Sequence, residues 1–267
     1  GQAINRSKWG IWTQGEYVDL YLEAAEILRR KDGIEVLGPS VIDFEFQAIL
    51  ALVNSRTPGL HFDIVSSLLY VDRRGAPENR QMGLDTVDKV TLLRAIADVG
   101  RNCSDRCWIT EVNWPLWEGP HSPAGKTVSV GEEEQADYLV RYYLLALGTG
   151  LVERVYWWRL IARGYGLISP ESDGSLRGRP AWDALRTLID QVEGATFNGP
   201  LPAPEGAFLY SFKCDEREVV VGWSVATGAR AKLPCPASEA VSRDGRSVPV
   251  TGQVEIELGP SPVYYRI

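Results

Sequence analysis

Along the first two thirds of this chain, apolar runs short enough to be strands alternate with stretches of helical period, and that alternation constrains the fold more than any other feature. Four such pairs can be read. "IEVLGPSVIDF" (Ile34 to Phe44) precedes "FQAILALV", and "LHFDIVSSLLYV" precedes a periodic stretch from Leu84 to Val99. "CWITEV" precedes "EEEQADYLVRYYLLAL", and "VERVYWWRLI" precedes "RPAWDALRTLIDQVEG", with Pro180 in the first turn. A further helix is predicted from Glu16 to Arg30, where Tyr17, Leu20, Tyr21, Ala24, Ala25 and Leu28 share one face and Gly33 supplies the stop. Strands separated by helices of this length join through right-handed crossovers into a parallel sheet, and the near-continuous apolar character of the strands says that both faces are covered.

Closing such a sheet into a (β/α)8 barrel takes eight units and about 250 residues. Four clear units, with a possible strand end at "GQAIN" before them, read as the C-terminal part of a TIM barrel. An isolated half barrel would expose sheet edges, so the missing half is supplied by another chain or has been cut away. The alternative is an open doubly wound sheet, which needs fewer strands. Composition changes at "TFNGPLPAPEGAF" (Thr196 to Phe208), a Pro- and Gly-rich stretch that reads as a linker. After it, "EVVVGWSV", "ARAKLPC", "QVEIEL" and "PVYYRI" alternate with turn signals such as Asp244-Gly245, the pattern of a small antiparallel β domain. The expected fold is therefore α/β, with a partial barrel over residues 1–195 and an accessory β-sandwich over residues 196–267.

A hydrophobic content of 45% and 24% charged residues place the chain among ordinary globular proteins, and a net charge of -7 argues against a nucleic-acid surface. No apolar stretch is long enough to span a bilayer. Cys103, Cys107, Cys214 and Cys235 fit no zinc spacing, and two histidines make a His-rich metal site improbable. Cys214 and Cys235 are candidates for a bridge between strands, with free thiols an equal option. The location is unassigned: periplasmic or secreted if a leader was removed, cytoplasmic otherwise.

"WITEVNWPLW" places one acid, Glu111, in a β-branched and aromatic run where the strand ends. At the C-terminal end of a barrel strand a side chain points into the mouth of the site, and a carboxylate there needs polar partners to offset desolvation. Tyr70, ending "SSLLY", and Arg159, after "YWW", are the candidates. The alternative is a structural acid paired with an arginine. Of the nine tryptophans, Trp114, Trp117, Trp157 and Trp158 cluster in two segments, and aromatic faces stack on sugar C–H faces.

"WITEVNWPLW" resembles the seventh strand of clan A retaining glycoside hydrolases, and "RVYWW" resembles their eighth. The C-terminal "VVVGWSV...VPVTGQVEIELGPSPVYYRI" is similar to the β domain of the family 39 group, which includes β-xylosidases, α-iduronidases and exopolysaccharide-processing enzymes. The resemblance implies Glu111 as nucleophile, Tyr70 as its hydrogen-bonding partner, and Trp157 and Trp158 as a sugar platform, with Gln2, Asn5, Trp114 and Arg159 as further substrate contacts. Strand alternation puts Trp157 and Arg159 on one face and Trp158 on the other.

The same resemblance sets Ala3 where an acid/base glutamate belongs. Either the natural protein lacks this acid, or the residue was substituted, or the register shifts near Gly1. Asp43, Glu45 and Glu118 are the nearby acids able to substitute, although each reads first as a surface or structural group. His121 reads as a solvated loop residue. The loop Asp72 to Gln81 carries three arginines suited to an acidic sugar, and equally to solvent. Two functions follow. One is a retaining hydrolase acting on a β-linked oligo- or polysaccharide, with no cofactor and no metal. The other is a non-catalytic carbohydrate-binding relative. The expected ligand is an oligosaccharide or polysaccharide, with acidic sugars an option, and neither nucleic acid nor membrane is a partner.

Overall fold

The computed structural model describes residues 13–41, 45–70, 75–122, 128–214, 217–250, 252 and 254–267. The chain divides into two compact units. The first comprises residues 1–72, 78–112 and 149–157, and the second residues 73–77, 113–148 and 158–267.

In the first unit, β1 (Leu37–Val41), β2 (Ile64–Leu68), β3 (Cys107–Val112) and β4 (Arg154–Trp157) form a parallel sheet in the order β1-β2-β3-β4. Each strand lies beside its predecessor. A doubly wound sheet reverses its strand order at a switch point, and these four strands contain no reversal.

Helices α1 (Gln14–Leu28), α2 (Phe46–Val53) and α3 (Thr86–Asp98) belong to the same unit. α1 opens with a capping box: Thr13 Oγ1 accepts from Glu16 N, while a Glu16 carboxylate oxygen accepts from Thr13 N at 2.6 Å. α3 repeats the device with Asp85 and Asp88. α1 is tied down by Tyr17, whose hydroxyl donates to Pro39 O, and by Tyr21, which donates to His61 O at 2.7 Å. Arg29 adds an ion pair to Asp63 at 3.1 Å. Burial pushes the Asp63 carboxyl up, but the Val36 N–H and the Arg29 guanidinium outweigh it and hold it below the usual range.

At the N-terminal end of the sheet, Arg106 pairs with Glu35 and Glu153, and Trp108 Nε1 donates to Glu153 at 2.8 Å. Hydrogen bonds first from Arg106 and then from Trp108 pull the Glu153 carboxyl down to about 2. This end of the sheet is built for stability.

The second unit packs α4 (Glu132–Leu147) against α5 (Pro180–Val192). Between them in sequence lies a hairpin, β5 (Ile168–Pro170) and β6 (Leu176–Gly178). An antiparallel sheet follows, built from β7 (Thr196–Pro200), β8 (Ala207–Cys214), β9 (Arg217–Ser224), β11 (Glu239–Ser242), β12 (Ser247–Val248) and β14 (Val263–Arg266), in the order β12-β11-β14-β9-β8-β7. β10 (Ala229–Lys232) and β13 (Glu255–Leu258) form a separate ribbon. One apolar core joins the two sheets, with Leu209, Val220, Ala240 and Tyr265 from the larger and Ala231 and Leu258 from the ribbon.

Three expectations are corrected. The stretch read as a linker contains β7 and the start of β8, so only residues 201–206 connect them. Pro and Gly are tolerated there because β7 is an edge strand whose register slips between Phe197 and Gly199. β8 escaped the sequence reading because it is an inner strand covered on both faces, with Phe208, Tyr210 and Phe212 on one and Leu209 in the apolar core on the other. Phe208 stacks on its cross-strand partner Trp223 at 4.9 Å, so no polar alternation is visible. Finally, β4 ends at Trp157, and the peptide bond Trp158–Arg159 is cis. The alternation used to place Trp157 and Arg159 on one face does not extend past the strand.

Candidate active site

The first unit brings Glu111, Tyr70 and Trp157 to the C-terminal ends of β3, β2 and β4. The ladder from β2 to β3 runs Ser66↔Trp108 and Ser67↔Ile109, then skips to Leu68↔Glu111. The ladder from β3 to β4 runs Ile109↔Val155, then jumps to Val112↔Trp157. Both neighbours of β3 lose step after Ile109, β2 across Thr110 and β4 across Thr110 and Glu111. A bulge of this kind re-aims a side chain, and here it falls on the acid and the residue before it.

The Glu111 side chain is half-buried. The hydroxyl of Tyr70 donates a short hydrogen bond to Glu111 Oε1, the partnership expected from the sequence. Tyr70 is itself buried and held from behind, because Lys89 Nζ donates to Tyr70 O at 2.8 Å and to Gln81 Oε1 at 2.7 Å. Lys89 lies on α3 with only 4% exposure. Sequence reading passed over it, since one lysine in an amphipathic helix normally faces solvent. The available signal was its position on the apolar face, one residue before Val90 and four before Leu93. Trp157, half-buried, stands opposite Val112, one residue beyond Glu111.

Apart from Glu45 and Arg80, the remaining candidates in the described residues lie in the second unit. Trp114 is 1% exposed; its Nε1 donates to Gly75 O and its ring packs on Tyr138 and Tyr142, so its role is packing and it offers no face to a ligand. Trp158 is 43% exposed, and Arg159 lies 5.8 Å from its ring while donating through Nε to Ile161 O. Glu118 is occupied at both oxygens, one by Arg179 Nη2 and the other by Gly164 N. It is an anchor between loops and not a free proton donor. His121 meets Arg163 Nη1 at 2.7 Å. Gln2, Ala3, Asn5, Asp43, Arg73 and Arg74 lie outside the described residues. Glu45 immediately precedes α2, and Arg80 is an exposed side chain near Asp85 and Asp88.

Arg179 was also missed. Its guanidinium is fully buried and reaches Glu118, Glu132 Oε1 at 3.1 Å, Ala162 O at 2.9 Å and Gly166 O at 2.6 Å. Gly166 fits because any Cβ there would strike the backbone of Ala162 and Ile168. Cys103, Cys107 and Cys235 are free thiols, so Cys235 forms no bridge to Cys214. Among the described residues, no group of three or more His, Cys, Asp or Glu side chains is arranged to hold a metal ion.

No family model matches the chain, and no curated protein does. Solved structures do. A GH30 endoxylanase from Clostridium papyrosolvens aligns over 97% of this chain and 61% of its own, with 16% identity and a TM-score of 0.57. The GH39 enzyme from Xanthomonas axonopodis pv. citri aligns over 98% and 65%, with 14% identity and a TM-score of 0.56. The fold is shared with these two glycoside hydrolases over the aligned length. A β-porphyranase of glycoside hydrolase family 86 from Bacteroides plebeius aligns over 98% and 54%, with 9% identity and a TM-score of 0.64. The chain thus spans between half and two thirds of the length of each of these structures. At such identities the likeness concerns fold alone and does not single out family 39.

Proposed function

We propose that this chain is the C-terminal part of a (β/α)8 glycosidase barrel (residues 1–195) with a β-sandwich appended (residues 196–267), acting on a β-linked oligo- or polysaccharide by a retaining mechanism. The observation that carries the reading is the Tyr70–Glu111 hydrogen bond at the bulged end of β3, in a fold shared with glycoside hydrolases. With Oε1 held by Tyr70, Glu111 Oε2 attacks the anomeric carbon. The bond to the leaving oxygen breaks, and that oxygen takes a proton from a second carboxylic acid. Water then attacks the anomeric carbon, giving its proton to the second carboxylate, and the glycosyl ester bond breaks to regenerate the Glu111 carboxylate. Trp157, which stands one residue beyond Glu111 across the β3–β4 ladder, floors the sugar.

Ala3, which stands where the resemblance calls for the acid, favours a second reading: a carbohydrate-binding relative without turnover. One experiment tests both. Incubation with 2-deoxy-2-fluoro β-glycosides bearing an activated leaving group, which need no acid for the first step, should leave a glycosyl ester on the peptide containing Glu111, detected by mass spectrometry. Labelling together with no hydrolysis of natural linkages supports the second reading. Absence of any adduct across a panel of gluco-, xylo-, galacto- and glucurono-configured reagents would remove Glu111 as a nucleophile.

A further inference from the structure

Tyr70 stands beyond the paired part of the strand that carries it. The ladder from β2 to β1 ends at Ser67↔Val41 and the ladder to β3 ends at Leu68↔Glu111, so Tyr70 lies two residues past the last paired position. A phenol that has to meet Glu111 Oε1 needs a fixed backbone, because a group at a reacting centre displaced by about 1 Å can cost on the order of a hundredfold in rate. The sheet does not supply that fixation. Lys89 does, from the first turn of α3, by donating from Nζ to Tyr70 O at 2.8 Å.

This lysine is badly placed by two separate rules. It is 4% exposed, where a cation loses its hydration, and it is the fourth residue of α3, where the helix dipole opposes positive charge. Anchoring the helix does not explain it, since Val90, Leu93, Ile96 and Ala97 already bury the same side of α3. For packing alone a methionine would serve as well. What the ammonium adds is directed N–H donors, one to Tyr70 O and another to Gln81 Oε1 at 2.7 Å. Gln81 is itself held in a closed turn, with Gln81 N donating to Leu84 O at 2.9 Å and Leu84 N donating to Gln81 O at 3.1 Å, directly before the Asp85 cap of α3. The Lys89 head is thus aimed at the strand end both by its own helix and by the turn that precedes that helix. Tyr70, Gln81, Lys89 and Glu111 all belong to the first unit.

We infer that Lys89 is a positioning residue for Glu111: its ammonium, braced by Gln81, sets the Tyr70 backbone so that the phenol meets Oε1 and leaves Oε2 for attack. The inference rests on the glycosidase reading for the role of Glu111. It makes the reactivity of the acid depend on a cation that acts only through Tyr70.

The test follows labelling of Glu111 by whichever activated 2-deoxy-2-fluoro β-glycoside reacts fastest with the wild type, at a temperature where circular dichroism shows every variant folded. Lys89→Met should lower the limiting labelling rate about tenfold and leave the half-saturating reagent concentration within about twofold. In a Tyr70→Phe background the same change should cost less than about twofold, because the group through which Lys89 acts is gone. Gln81→Ala, at an exposed position, should lower the rate in the same sense by about two- to threefold. Leu93→Ala is the comparison, since it empties a buried site on the same helix without touching either hydrogen bond; it should lower stability and leave the labelling rate unchanged. Equal losses for Lys89→Met with and without the Tyr70 hydroxyl, or a loss that Leu93→Ala reproduces, overturns the inference and leaves Lys89 a structural residue.

A second measurement does not depend on reactivity. With 3-fluorotyrosine in place of tyrosine, the fluorine NMR signal that Tyr70→Phe deletes should move in Lys89→Met toward the position it takes in Glu111→Gln. A signal that stays at its wild-type position overturns the inference. If Lys89→Met does not fold, Gln81→Ala carries both measurements. Should the wild type take no label, the glycosidase reading falls, and the fluorine signal alone then decides whether Lys89 places the phenol.

Discussion

Replacing Arg179 with methionine keeps most of the side chain's volume and removes its charge. The guanidinium is completely buried and meets two carboxylates and two carbonyls. Breaking one side of a buried ion pair costs about 3–5 kcal/mol. The surviving acids are not sealed, since the side chains of Glu118 and Glu132 keep 23% and 33% of their exposure and water can rehydrate them. Glu132 also retains Arg177 at 2.7 Å. The lower end of the range therefore applies, about 3 kcal/mol, which for a domain of this size corresponds to a fall in Tm of roughly 6–12 °C. Arg179→Lys retains the charge but has a point ammonium where a planar fork is needed, and should lose about half as much. Circular dichroism melts at matched concentration read the effect, with Arg179→Met/Glu118→Gln as the coupled control. The double variant should be less damaged than the sum of the singles, because no unpaired anion is left at Glu118. A fall of less than about 2 °C for Arg179→Met would show that the loops hold without the brace and would refute the reasoning.

Tyr70→Phe removes a donor to Glu111 Oε1 and should lower kcat for an aryl glycoside by roughly 10- to 100-fold with little change in KM, as expected for a bond to a charged group worth about 1.5–3 kcal/mol. An unchanged kcat would mean that the phenol does not hold the nucleophile. Lys89→Met deletes the ammonium behind Tyr70 and should destabilise the first unit by about 2–4 kcal/mol, since the Tyr70 carbonyl and the Gln81 amide lose a buried donor; urea midpoints check it. For Asp63 the folded carboxyl lies below its unfolded value, so the unfolded chain binds more protons as acid is added. Its contribution is present in full above the ordinary aspartate range, about pH 4, and is lost as pH falls through the lower folded value. Asp63→Asn should flatten that part of the stability profile, measured as denaturant midpoint between pH 2.5 and 6.

Elements whose signal is local were legible in the sequence. The spans of α2, α4 and β3 follow from periodicity and composition alone, and asking what could hydrogen-bond a carboxylate at a strand end leaves Tyr70 and Arg159 as candidates, of which Tyr70 donates to Glu111. Features set by tertiary context were not legible. β7 reads as a linker because an edge strand tolerates the residues that a linker favours, and β8 reads as featureless because one of its faces is aromatic and the other buries Leu209. Trp114 and Trp117 stand three positions apart in one motif, yet one is sealed against tyrosines and the other is half in solvent. Nothing in the spacing distinguishes them. Lys89 and Arg179 look like solvent-facing charges until their partners, distant in sequence, are brought to them.

The slip of register at Thr110 and Glu111 gives β3 a property that its residues do not advertise. Since β2 resumes pairing at Glu111 and β4 at Val112, the distance from Cys107 to Glu111 acts as a ruler. Substitutions along it change packing, but inserting or deleting one residue would exchange the acid for a threonine or valine at the bend. Lineages that keep Glu111 should therefore vary more readily in the residues between Cys107 and Glu111 than in their number.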